Sequence, residues 1–168
     1  MFVIPSKLVG ISLGGSSVLR ISTKGGYGIR AMYELAMAHG QGPVPLKVVA
    51  EKQALSENYL EQLMGTLRKA GLVRGVRGAR GGYELARSPE AISVGDVIRA
   101  LEGPIAPVSC VDLDAEADCE RHASCPTRGV WERLRDSMIE VLDSTSLADL
   151  CKEVPQDAAP DDSGKGHC

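Results

Sequence analysis

Two short amphipathic helices joined by a tight turn, a glycine-rich hairpin directly after them, and a later long helix beyond a cysteine-containing loop predict a mainly α chain. The expected form is a winged helix-turn-helix domain with a small β-hairpin wing, plus a long dimerisation helix. With 168 residues, 43% hydrophobic and 24% charged, the chain has room for one ordinary domain and an appendage. Aromatics are only 4%, so Leu, Val, Ile, Ala and Met must build the core. No apolar run approaches the roughly 18 residues of a membrane span, and no membrane partner is expected.

The elements follow in order. Residues 1–18 carry one Lys, no acid and no helical period, and read as a disordered arm or a start assigned too early; Pro5, Lys7, Gly10 and Ser12 break the apolar run a secretory signal needs. The winged domain is expected over 19–103. Its first helix, Ser22 to His39, carries Tyr27, Ala31, Leu35 and Ala38 at helical spacing. Gly40 and Gly42 stop it, and Pro43 and Pro45 bracket an extended piece. Leu46 to Gln53 is a second helix burying Leu46, Val49 and Ala50, and Ala54-Leu55 is the turn. Ser56 caps a third helix to Ala70, with Leu60, Leu63, Met64 and Leu67 as its inner stripe.

Gly71 ends that helix, and strands follow at Leu72–Val76 and Tyr83–Ala86. Arg77-Gly78-Ala79-Arg80-Gly81-Gly82 between them makes a cationic hairpin tip. Ser93 and Asp96 form a capping box for a helix to Leu101. A loop without period is expected over 104–125, and a dimerisation helix with a terminal turn over 126–154. Pro126 suits its first position, and Val130, Leu134, Met138 and Val141 form the pairing stripe to Leu142, with Trp131 beside it. Ser146 and Asp149 cap the last turn, and an acidic tail over 155–168 reads as disordered.

The net charge of −3 hides two halves of opposite sign. Leu19 to Leu101 holds 12 basic against 7 acidic residues, a balance of +5; Glu102 to Cys168 holds 6 against 15, a balance of −9. The first half suits a polyanion. On the third helix, Asn58, Tyr59, Glu61, Gln62, Thr66 and Lys69 lie opposite the apolar stripe. Asn and Gln pair bidentately with adenine, and Glu accepts from cytosine. The wing glycines allow close approach to a sugar-phosphate backbone, where Arg77 and Arg80 neutralise phosphates or enter the minor groove. No Lys-Ser/Thr precedes a helix at the glycine turn, which excludes a P-loop. An enzyme is not expected: His39, His122 and His167 are scattered, and no carboxylate pair appears.

Leu19 to Trp131 resembles the Rrf-two family of bacterial winged-helix regulators, most of all its iron–sulfur cluster regulators. The matching stretches include Ser22-Thr23-Lys24-Gly25, Gly42-Pro43-Val44-Pro45-Leu46, Tyr59-Leu60-Glu61-Gln62-Leu63, Leu67-Arg68-Lys69, Val76-Arg77-Gly78, Gly81-Gly82-Tyr83 and Val94-Gly95-Asp96-Val97-Ile98. The resemblance implies base or backbone contacts from Ser56, Asn58, Tyr59, Glu61 and Gln62, with Glu61 selecting between classes of site. It places Arg77 in the minor groove and gives Arg68 and Lys24 supporting contacts. Arg80 is an additional wing arginine, and Asn58 stands where the family usually has Ser. The implied partners are a pseudo-palindromic double-stranded DNA operator and a second copy of the chain, in the cytoplasm.

Cys110, Cys119 and Cys125 fall in a C-x8-C-x5-C pattern. Three thiols beside a helix start suit a soft metal or cluster. Spacing alone also allows zinc, with His122 completing a Cys3His set, or ordinary thiols. The resemblance places cluster ligands on the three cysteines, a two-iron (2Fe-2S) cluster before a four-iron (4Fe-4S) one. It also puts Arg128 where the iron–sulfur regulators have a histidine, and Gly25-Gly26 where other members have an acid. The fourth ligand is then His122, or an oxygen from Asp112, Asp114, Asp118 or Glu120. Cys151 reads as a packing residue and Cys168 as an exposed thiol. A cluster-free or zinc-bound regulator working through a thiol switch or a protein partner is the alternative.

Overall fold

A computed structural model describes residues 22–78, 80–113 and 124–153. The arm, the tail, Cys119 and His122 lie outside them, as does most of the acidic run. The order is α1 (Thr23–Met37), α2 (Leu46–Gln53), α3 (Glu57–Lys69), β1 (Val73–Val76), β2 (Gly82–Leu85), α4 (Val94–Glu102), α5 (Arg128–Ser144) and α6 (Leu147–Glu153). Single 3-10 turns at Pro89–Ala91 and Ser109–Val111 complete it. The mainly α fold with a two-stranded wing is as the sequence predicts.

Local chemistry sets the boundaries. The Ser22 hydroxyl accepts from the Lys24 N–H to open α1, and Ser56 accepts from the Tyr59 N–H to open α3. Between α2 and α3 the chain turns through Ala54, whose φ of 52° is left-handed. Gly71, at φ 72°, closes α3: its N–H reaches the Arg68 carbonyl while the Leu72 N–H reaches that of Leu67. Ser93 and Asp96 form the expected capping box on α4.

One core holds the winged body together. Met32 and Leu35 of α1, Val49 of α2, and Leu60, Leu63, Met64 and Leu67 of α3 are buried with Leu85, Ile92 and Val97. Leu147 of α6 is fully buried among them. The sequence reads this segment as a mere terminal turn; it is a helix packed back into the body. Buried Glu34 of α1 is compensated by Lys52 Nζ at 2.8 Å and Gln53 Nε2 at 2.7 Å, tying α1 to the end of α2.

Two further expectations need correction. The loop after α4 is not featureless in its first part: Ile105 packs on Val94 and Ile98, and Val111 of the 3-10 turn is buried. The long helix starts at Arg128, not Pro126, because Cys125–Thr127 form a turn whose Thr127 hydroxyl is engaged by the Cys125 thiol instead of capping the helix. It also runs two residues beyond Leu142, to Ser144.

Candidate nucleic-acid interface and cysteine site

The reading helix presents its expected faces. Leu60, Leu63, Met64 and Leu67 point inward, while Ser56, Asn58, Glu61, Gln62 and Arg68 are exposed. Tyr59 is half-buried: its ring stands edge-on to Tyr27 of α1, centroids 6.0 Å apart. This contact fixes the first turn of α3 against α1. The wing pairs Val73 with Leu85 through Val76 with Gly82, and Arg74 meets Glu84 across the strands at 2.9 Å. Val44 adds one further rung on the other side of β2, exchanging both backbone hydrogen bonds with Tyr83 at 2.8 and 2.9 Å.

That rung changes the meaning of the wing glycines. A Cβ on Gly82 would lie 2.2 Å from the Val44 carbonyl oxygen, and one on Gly81 would lie 2.4 Å from that of Val76. Both glycines are required by the chain's own packing, before any DNA approaches. Arg77 and Arg80 stand exposed at the tip, and no ion pair among the described residues engages either. Arg68 reaches back toward the wing, with its Nη1 4.0 Å from where a Gly75 Cβ would sit. Lys24 is employed differently from expectation: its ammonium donates to the Leu101 carbonyl at the end of α4. The structure therefore gathers Ser56, Asn58, Tyr59, Glu61, Gln62, Arg68, Arg77 and Arg80 on α3 and the wing, and ties Lys24 to the body.

The cysteine segment is built where the body meets α5. Cys110 sits in the 3-10 turn and Cys125 just before α5, both half-exposed. Two arginines of α5 clasp that turn: Arg135 Nη1 donates to the Val111 carbonyl at 2.9 Å and Arg128 Nη1 to the Cys110 carbonyl at 3.4 Å. Arg128 also pairs with Glu132 at 2.8 Å. Residue 128 is thus a permanent cation bound to the cysteine segment, and it offers no ligand to a metal. Hydrogen bonds from the Thr127 hydroxyl and backbone, helped by Arg128, hold the Cys125 thiol below its ordinary value of 9.0. Burial, by contrast, pushes Cys151 up, in keeping with packing against the core. Among the described residues no group of three or more His, Cys, Asp and Glu side chains is placed so as to hold a metal ion.

Sequence reading missed the arginine clasp. Its signal was the seven-residue spacing of Arg128 and Arg135, which sets both on one side of α5. A further link to the body is the bidentate pair of Arg99 on α4 with Asp143 on α5, at 2.8 and 2.7 Å. Met138, Ile139 and Leu142 pack on the Val94–Ile98–Ile105 group. Met138 therefore faces the body rather than completing an outward stripe.

The family model described as "Rrf2: Iron-dependent Transcriptional regulator" matches residues 21–153. The chain belongs to the Rrf2 family. It is 52% identical over 132 residues to the HTH-type transcriptional regulator CymR of Bacillus subtilis (strain 168), covering 79% of this chain and 89% of that one. The solved structure titled as CymR, the global cysteine regulator of B. subtilis, superposes with a TM-score of 0.70 at 51% identity, covering 82% of this chain and all of the other. A structure titled T. potens IscR gives a TM-score of 0.67 at 49% identity, over 85% of this chain and 93% of that one. The IscR regulator of Vibrio cholerae is 39% identical over 132 residues, 79% of this chain and 75% of its own length. The resemblance to IscR regulators holds, and CymR is at least as similar. As an Rrf2 member the chain is a DNA-binding transcriptional regulator and not an enzyme, and no helix among the described residues is long and apolar enough to cross a membrane.

Proposed function

We propose that this Rrf2 regulator binds a pseudo-palindromic operator as a symmetric pair, and that an iron–sulfur cluster on Cys110, Cys119 and Cys125 controls its grip. The observation that carries the proposal is the arginine clasp, which joins the cysteine segment to α5 through the Cys110 and Val111 carbonyls. A change at the thiols then has a short mechanical route to the helix between the two heads. Half-exposed Cys110 and Cys125, the latter with its thiol held below the ordinary value by Thr127, suit a soft iron centre. With Arg128 offering no ligand, Cys119 supplies the third, and His122 or an oxygen from Asp112, Asp114, Asp118 or Glu120 the fourth. When bound, the cluster supplies redox and ligand-exchange chemistry, and the chain turns its gain or loss into a change of α5.

Pairing is supported by α5 itself. None of its residues is buried, and Val130 and Val141 are 50% and 63% exposed, with half-exposed Leu134 between them. A two-fold axis along this face would set two α3 helices about one DNA turn apart. In each head Asn58, Glu61 and Gln62 would read bases, Ser56, Tyr59 and Arg68 would position the helix, and Arg77 and Arg80 would follow the groove from the wing. Lys24 supports the site indirectly, by tying the start of α1 to the end of α4.

A second reading is favoured by Arg128 and by the likeness to a regulator titled for cysteine. In it the thiols act without a cluster, as a zinc site or a thiol switch. Oxygen-free purification with metal and sulfide analysis separates the two. The cluster reading expects a brown protein with iron and sulfide, and loss of colour in Cys110→Ala. Colourless protein with stoichiometric zinc, or with no metal, replaces it by the second reading.

A further inference from the structure

Of the basic side chains in the described residues, eight form ion pairs with carboxylates. Within the winged body, Lys24 is held by a carbonyl, and five cations have no carboxylate partner among the described residues. Arg68 and Lys69 on α3, and Arg77 and Arg80 on the wing, are four of them. The fifth is Arg30, exposed on α1 and absent from every expectation above.

The position of Arg30 is not arbitrary. Its guanidinium carbon lies 5.9 Å from the centroid of the Tyr27 ring, one helical turn earlier. Helical side chains lean toward the N-terminus, so this stacking carries the charge back toward the start of α1. The same ring meets Tyr59 in the first turn of α3. Arg30, Tyr27 and Tyr59 thus form a chain of contacts ending at the first turn of the reading helix, which sets the guanidinium two ring contacts from that turn. Tyr27 and Tyr59 carry no charge that would neutralise it, so its donors remain available to an anion.

We infer that Arg30 is a further DNA-binding residue, which uses its Tyr27-supported guanidinium to hold a backbone phosphate beside the groove occupied by α3. The inference rests on α3 and the wing being the DNA side. A phosphate contact carries no base information, so it adds affinity and register without altering the preferred sequence.

The test uses the full-length protein and a duplex of about 30 base pairs, about three turns, selected from a randomised pool by the unmodified chain. Dissociation constants are measured across a salt series for the unmodified chain, Arg30→Ala, Arg30→Lys and Arg77→Ala, with thermal melts verifying the fold. Arg30→Ala is expected to lower the salt slope by about 0.9 per bound head, shrinking the affinity loss between about 50 and 200 mM salt roughly threefold for each head and about tenfold for the pair. The weakening should be equal on the selected duplex and on one with altered bases, and Arg30→Lys should keep the slope. A slope unmoved by Arg30→Ala while Arg77→Ala lowers it overturns the inference. If neither lowers it, the inference falls together with the assignment of the DNA side.

Discussion

The winged body and α5 are held by different forces. The body buries a continuous apolar core drawn from α1, α2, α3, α4, the wing and α6, and Glu34 inside it is paired at short range. Helix α5, although the longest among the described residues, buries no residue fully: Met138, Ile139 and Leu142 rest partly exposed on Val94, Ile98 and Ile105, and its other ties are polar, Arg99 with Asp143, and Arg128 and Arg135 with backbone carbonyls. Apolar cores resist gradual deformation, whereas half-exposed ionic contacts exchange readily with water. The difference suits a rigid reading head joined to a movable arm, with the cysteines at the joint.

Breaking the body should have the largest effect. Leu147→Ala removes a fully buried side chain that links α6 to the core, and is expected to cost about 2–5 kcal/mol in urea unfolding. A loss below about 0.5 kcal/mol would show that α6 is not part of the body. On the arm, Val141→Asp changes a residue that is 63% exposed, and unfolding of the single chain should move by no more than about 0.5 kcal/mol. Light scattering should nevertheless find monomers where the unmodified protein is paired; an unchanged mass would move the pairing face elsewhere.

The smallest effect is confined to acid. Asp149 is held down from 3.8 to about 2, first by the Ser146 hydroxyl, then by Lys152 and the Ser146 backbone. A carboxylate lowered on folding adds stability above its unfolded value and loses it as the pH falls through about 2. Asp149→Asn should therefore flatten the acid limb of a stability–pH curve between about pH 4 and 2. An identical limb would mean that this cap does not bear on folding.

Most of the body was legible in the sequence because its signals are local. The Leu60–Leu67 stripe, Ser56, Gly71 and the Ser93–Asp96 box each specify an element within a few residues. What escaped depends on distant partners. Gly81 and Gly82 suggest a loop open to DNA, and only the Val44 rung reveals that they yield to backbone. Lys24 reads as a free cation until α4 offers the Leu101 carbonyl. In α5, the stripe through Met138 looks outward because periodicity cannot say which side of a helix the body occupies. The clasp joins residues 24 positions apart, Arg135 and Val111, and no local rule points to it. The cysteine pattern was plain, yet its fourth ligand depends on the fold of 114–123.

The most direct measurement is DNA affinity as a function of what the thiols hold. Protein purified without oxygen is titrated against its selected duplex, before and after the centre is removed, beside Cys110→Ala. An affinity differing by about 5- to 150-fold between the loaded and emptied forms, with Cys110→Ala fixed at the emptied value, is the expected result. Equal affinity in all three would contradict control of the reading heads from the cysteine joint.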